Sequence, residues 1–211
     1  MIPLDLPDVP RWVEAHGIAG DPSGWRARVG DGFAVGHDPM RLIVIAGDAD
    51  PGAVADFARA RTGYTFLAAT EYLFPTKQRA ILHTLPDPEV LPDLEGALPL
   101  PVDTPLPEPL AAELGWARAR GPIWSAWVDG APVAFAYAPW RSAKYFDVSV
   151  DVLPEARQLG LATIVASAMI RDERTRGREP VWGADEGNAA SLRLAKRLGF
   201  EAVDELWVAP P

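Results

Sequence analysis

The chain has 211 residues, 48% hydrophobic and 23% charged, the composition of a soluble globular protein with material for one large domain or two small ones. Its formal net charge of −9 disfavours bulk nucleic-acid binding, which needs a basic patch, and is compatible with attraction of a cationic amine. The absence of cysteine excludes disulfides, thiolate metal sites and a cysteine nucleophile; His16, His37 and His83 share no metal-ligand spacing and read as surface or packing residues.

The N-terminal stretch MIPLDLPDVPRW lacks the basic start and apolar run of a secretion signal. No apolar run approaches the roughly 20 residues that span a bilayer, so a cytoplasmic protein with no membrane partner is expected. The first half then alternates in a way that predicts strands and one helix. Arg41–Ala46 reads as a buried strand. Asp48 to Pro51 reads as a helix start with proline in the first turn, and the helix runs near Gly52–Arg61. Tyr64–Ala69 and Gln78–Thr84 read as further strands, split by Phe74-Pro75-Thr76. The loop Glu71–Gln78, with Tyr72 and Phe74 beside Pro75, is a candidate wall for an acceptor pocket.

Prolines crowd 85–107, which excludes a regular helix or a central strand and predicts a linker. The chain divides accordingly into an N-terminal α/β half, 1–95, and a second unit, 96–211. In the second unit Ile123–Val128 and Val133–Tyr137 read as strands of a hairpin turning at Asp129-Gly130. Tyr145–Val152 alternates strictly, with Phe146, Val148, Val150 and Val152 on one face and Tyr145, Asp147, Ser149 and Asp151 on the other. A helix from about Leu159 to Arg174 carries the apolar stripe Leu161, Ile164, Val165, Ala168 and Met169. Pro180–Ala184 reads as a strand, Asn188–Leu198 as a helix capped by Asn188 and stopped by Gly199, and Val203–Val208 as a last, exposed strand that could pair with a second subunit as a homodimer. Strand, helix, strand from Tyr145 to Ala184 predicts a right-handed parallel βαβ unit. The expected fold class is α/β: a mixed sheet with helices on both faces.

The chemistry concentrates at the strand-to-helix junction 150–163. The first amides of a helix have no internal partner and attract phosphate oxygens. Gly160 and Ala162 let such a group approach the backbone of 158–163, and Thr163 adds a hydroxyl. Small residues at a helix start also serve tight packing on a sheet, so the pattern alone leaves both readings open.

Arg157-x-x-Gly160-x-Ala162 at this junction resembles the acyl-CoA signature of the GNAT superfamily. Asn188-Ala-Ala-Ser191, followed by Leu198-Gly199-Phe200, resembles the family's second motif. The resemblance covers about 120–208, and the Pro180-Val-Trp182 strand is similar to the subgroup that includes zwittermicin-type resistance acetyltransferases. It implies acetyl-CoA as co-substrate, no metal, and direct attack of a small-molecule or peptide amine on the thioester without an acyl-enzyme. It further implies that backbone at Val150 and Val152 holds the pantetheine arm, that Arg157, Gln158, Leu159, Gly160, Leu161, Ala162 and Thr163 hold the pyrophosphate, and that Asn188 makes a polar contact to the arm. Catalysis then rests on alignment and on polarising the carbonyl.

One position departs from the family. The tyrosine that many members place seven residues after the asparagine is Ala195 here, so Ser191 is the candidate proton donor to the thiolate; a first-turn serine bonded to its own backbone is the competing reading. Asp147 is the first candidate for general base, with Asp185 and Glu186 as alternatives, and Tyr145 and Trp182 are candidate lining residues. Ala195 also leaves room for a non-catalytic acyl-CoA binder. A nucleotide-binding protein built on Arg41–Ala58 would need a glycine-rich loop or Walker lysine that the segment lacks. The N-terminal half has no second Arg-x-x-Gly-x-Ala and is expected to be a decayed GNAT-like unit or a lid over the acceptor pocket.

Overall fold

The structure, a computed structural model, describes residues 5–72, 74 and 76–211. A 3₁₀ turn at Pro10–Trp12 leads into α1 (Val13–Gly20), then β1 (Gly24–Val29), β2 (Gly32–His37), β3 (Leu42–Ala46), α2 (Pro51–Arg59), β4 (Thr65–Ala68) and β5 (Gln78–Thr84). The proline-rich stretch contributes only a 3₁₀ turn and β6 (Ala97–Pro99), a three-residue strand at a sheet edge, where a missing amide donor costs nothing. There follow α3 (Ala111–Arg118), β7 (Trp124–Val128), β8 (Ala131–Tyr137), β9 (Tyr145–Asp147), β10 (Ser149–Val152), α4 (Leu161–Thr175), β11 (Glu179–Asp185), α5 (Ala189–Arg197) and β12 (Glu201–Ala209). No described helix is long and apolar enough to cross a membrane.

The expected hairpin at Asp129-Gly130 forms, with Asp129 at φ 49° as a two-residue turn between twisted strands requires. The expected parallel unit forms too, as β9–α4–β11. Two sheets result, in the orders β1-β2-β3-β4-β12-β5-β11-β9 and β10-β8-β7-β6. The mixed α/β class is thus as read from the sequence, with helices on both faces.

The two halves repeat one order of elements. An antiparallel hairpin (β1-β2; β7-β8) is followed by a strand, a helix (α2; α4) and a strand parallel to the preceding one (β3 with β4; β9 with β11). Each half then sends its last strand into the other's part of the sheet: β5 pairs with β11, β12 pairs with β4, and β5 and β12 pair with each other. This places β12 in the middle of the long sheet. It is not the edge strand that the sequence suggested: β5 pairs with it from Glu201 to Val208, and β4 covers its other side at Trp207–Ala209.

Side-chain alternation assigns the faces. Phe66 and Ala68 of β4 pack with Val54 of α2, and Trp182 and Ala184 of β11 pack with Val165, Met169 and Ile170 of α4. Leu67, Val181 and Leu206 point to the opposite face, where Val13 and Ile18 of α1 lie. On β8, Ala134 and Ala136 face α4, whereas Phe135 and Tyr137 face Leu114 of α3. α2, α4 and α5 therefore cover one side, and α1 and α3 the other.

Candidate active site

The strand read as continuous from Tyr145 to Val152 changes partner at Val148. Up to that residue it runs beside β11, and the last link is the Val148 amide donating to the Val181 carbonyl at 2.9 Å. From Ser149 onward the strand pairs with β8 instead, while β11 continues along β5. The two strands part, and a cleft of about 740 Å³ opens between them.

Alternation fixes which backbone groups face the gap. Leu153 donates to Val133 of β8, so Ser149 and Asp151 also turn their N–H and C=O toward β8; Val148, Val150 and Val152 turn theirs away from it. By the same rule Val181 and Gly183 turn toward the gap, and Trp182 and Ala184 toward β5. Val150, Val152 and Gly183 thus offer unpaired strand edges on the two walls, the arrangement an extended amide-bearing chain completes by adding itself as a strand.

At the mouth of the cleft α4 begins. Gly160 is its N-cap at φ 79°, and a side chain there would be strained although nothing lies within 4 Å of an added Cβ. Gln158 also has positive φ, 66°, a conformation that costs a non-glycine residue about 1 kcal/mol and that no pattern in the sequence announced. The first amide with an intrahelical acceptor is that of Thr163, bonded to Gly160 O at 3.0 Å. The amides of Leu161 and Ala162 precede it and have no such partner. Unlike α2, whose first turn is closed by the Asp50 carboxylate accepting from Ala53 N at 2.9 Å, α4 has no side-chain cap, so its positive end faces the cleft.

Of the cofactor-site residues expected from the sequence, Val150, Val152, Arg157, Gln158, Gly160, Leu161, Ala162, Thr163 and Asn188 all line this one cleft. Leu159 does not; its side chain is turned out to solvent. Ser191 lines the cleft as well. It is not bonded to its own helix backbone through its hydroxyl: the Trp182 indole N–H donates to Ser191 Oγ at 2.9 Å, and the Asn188 side chain caps α5 by accepting from Ser191 N at 3.1 Å. Trp182, packed edge-on against Phe200, is a lining residue, whereas Tyr145 packs against the α1-side core. Ala195 is fully buried on the inner face of α5.

Asp147 stands on the α1 face of the strand, just before the split. Burial pushes its carboxyl up, opposed by a hydrogen bond from the Val148 amide. Its neighbour is Glu14 of α1, a residue the sequence reading missed. Burial, and then the charge of Asp147, push Glu14 up as well, and Glu14 Oε2 is buried without a hydrogen-bond partner. The signal available was a single acid in an otherwise apolar segment, Trp12-Val-Glu14-Ala. None of the three candidate bases lines the cleft: Asp147 lies on the far face just before it, Glu186 is paired with Arg79 at 2.8 Å, and Asp185, pushed up by burial, closes the turn into α5 through its carbonyl. Tyr72 and Phe74 pack into the N-terminal core around Phe66, away from this cleft, and Phe74 lines a separate pocket of about 380 Å³ with Tyr64 and Thr76; Pro75 lies outside the described residues.

Asp151 is the acidic side chain of the cleft lining, and it is tied back. The Tyr137 hydroxyl lies 2.8 Å from it and 2.6 Å from Glu113, and burial followed by these two carboxylates pushes the phenol up.

Residues 124–208 match the family model described as GNAT acetyltransferase. This part of the chain is a GNAT acetyltransferase domain. No curated protein matches the sequence significantly. Among solved structures, a protein assigned to the GNAT acetyltransferases from Novosphingobium aromaticivorans is similar over 95% of both chains, at 22% identity and a TM-score of 0.69. A GCN5-related N-acetyltransferase-like protein from Streptococcus suis is similar over 94% of this chain and 97% of its own, at 17% identity and 0.65. A GCN5-related N-acetyltransferase from Kribbella flavida is similar over 95% and 94%, at 17% identity and 0.63. At these identities the likeness is one of fold, and it extends over the N-terminal half as well as the GNAT domain.

Proposed function

We propose that the chain is an N-acetyltransferase that moves an acetyl group from acetyl-CoA to a primary amine of a small molecule or peptide. The observation that carries this reading is the parting of the strand 145–152 from β11 at Val148, with the uncapped start of α4 at the mouth of the resulting cleft. The residues fit acetyl-CoA: open strand edges at Val150, Val152 and Gly183 for the amides of pantetheine, and the amides of 158–162 for the diphosphate.

In this reading the amine attacks the thioester carbon from the α1 side. A C–N bond forms and the C–S bond breaks. Asp147, whose carboxyl is pushed toward neutrality by burial, takes the proton that the amine gives up, directly or through water. Ser191 donates its hydroxyl proton to the departing thiolate and regains one from solvent. Its oxygen already accepts from Trp182, so the hydroxyl proton is free to point elsewhere. Alignment of the reactants between the strands supplies most of the acceleration.

The N-terminal half, 1–95, is read as a decayed GNAT-like unit that no longer binds CoA. What supports this is its matching order of elements, together with β3 and β4 paired along their whole length, from Leu42 with Thr65 to Ile45 with Ala68. Through Glu14 it also forms part of the acceptor side.

The test is calorimetric titration with acetyl-CoA beside ATP and NAD, followed by release of free thiol with a panel of amines. CoA-selective binding and amine-dependent thiol release are expected. Absence of binding overturns the reading; binding without release for any amine favours a non-catalytic acyl-CoA binder, the alternative that Ala195 raises.

A further inference from the structure

The most buried acid of the chain, Glu173, is held by Arg141 and Arg178, and Asp21 is held by Arg120. Glu14 and Asp147 have no such counter-charge. They are neighbours, and among the described residues the one charge acting on Glu14 is that of Asp147, which has the same sign. The Val148 amide donates to Asp147, whereas Glu14 Oε2 is covered and has no hydrogen-bond partner. Each residue nevertheless keeps part of its surface open. Two carboxylates side by side, with an acceptor oxygen left over, are costly unless a proton or a cation joins them. Their place in the fold bears on which it is. Asp147 stands one residue before the split at Val148, on the α1 side, and Glu14 reaches it from the N-terminal half.

An alkyl amine reaches a protein in water as its ammonium ion and must shed two protons to become an amide nitrogen. An aryl amine arrives neutral and sheds one. We infer that Glu14 and Asp147 together receive the ammonium form of the acceptor, so that alkyl amines are the substrate class and Glu14, supplied by the N-terminal half, is the residue that selects them. The inference rests on the acyl-CoA reading of the cleft and adds the kind of amine that meets it. Glu14 takes the first proton and leaves a neutral amine. The nitrogen then attacks the thioester carbon, the C–N bond forms, the C–S bond breaks, and Asp147 takes the second proton. Sulfur receives its proton from Ser191, which regains one from solvent. The two carboxyls return theirs to solvent, so one proton is released for each acetyl group transferred. Burial disposes both carboxyls to hold a proton, and an ammonium between them draws them back to the charged form that accepts one.

The experiment follows thiol release by the full chain at saturating acetyl-CoA, with alkyl amines set against aryl amines of like size, benzylamine against aniline among them. The readout is the ratio of kcat/KM, alkyl over aryl, for the parent, Glu14→Gln and Glu14→Asp. Thermal melting checks the fold of each variant, and calorimetric CoA affinity checks the cleft. The parent should favour the alkyl amine. In Glu14→Gln the ratio should fall by about tenfold, the scale of one charge-assisted hydrogen bond, chiefly through a higher KM for the alkyl amine. Glu14→Asp keeps the charge and should recover part of the ratio. A ratio unchanged in Glu14→Gln overturns the inference, because a purely structural role slows both classes alike; a parent that favours aryl amines overturns it as well. No release from either class by a parent that binds CoA also overturns it and leaves the cofactor site standing. A parent that binds no CoA removes both readings.

Discussion

The Trp182 indole donates to Ser191 Oγ at 2.9 Å, which fixes the serine rotamer and uses one lone pair while leaving the hydroxyl proton uncommitted. An indole N–H can only donate, so Ser191 must point its own proton elsewhere, and the cleft is the open direction. Ser191→Ala should therefore lower kcat by about a hundredfold, the lower end of general-acid contributions, with CoA affinity within about twofold. Trp182→Phe keeps the packing against Phe200 and frees the rotamer, so a smaller loss in kcat is expected. Steady-state kinetics beside calorimetric Kd separate the two; a Ser191→Ala enzyme with parental kcat removes the serine from the mechanism.

Gly160→Glu should abolish CoA binding for two separable reasons. The φ of 79° strains any side chain by about 1–2 kcal/mol, and the carboxylate adds negative charge where the α4 amides face the diphosphate. Gly160→Ala carries the strain alone and should retain measurable affinity. If Gly160→Glu binds CoA as the parent does, the diphosphate does not sit at this helix start.

Much of this site was legible because its determinants are local. The turn at Asp129-Gly130, the cap at Asn188 and the run Arg157 to Thr163 each depend on residues close in sequence, and each element formed where the pattern put it. What the pattern could not show depends on partners far along the chain. The break at Val148 leaves the alternation of 145–152 undisturbed, since it is a change of neighbour and not of strand conformation. The exchange of β5 and β12 is likewise invisible in either strand alone. α1 escaped notice because Gly17 and Gly20 lower its helix propensity, and Gly17 is needed where Trp140 packs: a Cβ there would come within 2.9 Å of the tryptophan. With α1 went Glu14, the neighbour of the candidate base.

Glu14 and Asp147 hold their protons more tightly in the fold than in the open chain, where carboxyls titrate near pH 4. Between that value and the raised folded ones the native state binds more protons than the unfolded state. The pair's contribution to stability is therefore present at low pH and falls as pH rises through this window. Glu14→Gln removes the second charge at nearly constant shape. Relative to the parent, its Tm should be higher at pH 8 than at pH 5. Parallel melting curves for the two proteins across pH 5–8 would place Glu14 in water or beside a cation.

The N-terminal half bears on stoichiometry. β3 and β4 are zipped where β10 and β11 part, and Asp50 puts a carboxylate on the start of α2 where α4 has none. Both features oppose a second CoA, one by closing the slot and one by repelling phosphate. Titration of the full chain should give one CoA per chain. Two sites of comparable affinity would mean that the strands of the first half separate in solution.

Glu173 of α4 is 1% exposed, and its carboxylate is held by Arg141 at 2.7 Å and Arg178 at 3.0 Å. Arg141 also donates to Ala138 O at 2.8 Å, so it ties the far end of α4 to the connection between β8 and β9. Removing one partner of a buried pair leaves the other charge without compensation, at a cost of about 3–5 kcal/mol. Here Arg178 remains, and Arg176 lies 3.4 Å away, so Arg141→Ala should cost less, about 2 kcal/mol. Urea unfolding with an unchanged m-value would register this as a lower midpoint. The cleft lies at the opposite end of α4, so CoA affinity of the folded variant should stay within about twofold. A loss of affinity larger than that would mean that the α4 start, and with it the phosphate site, is held in place from this distant ion pair.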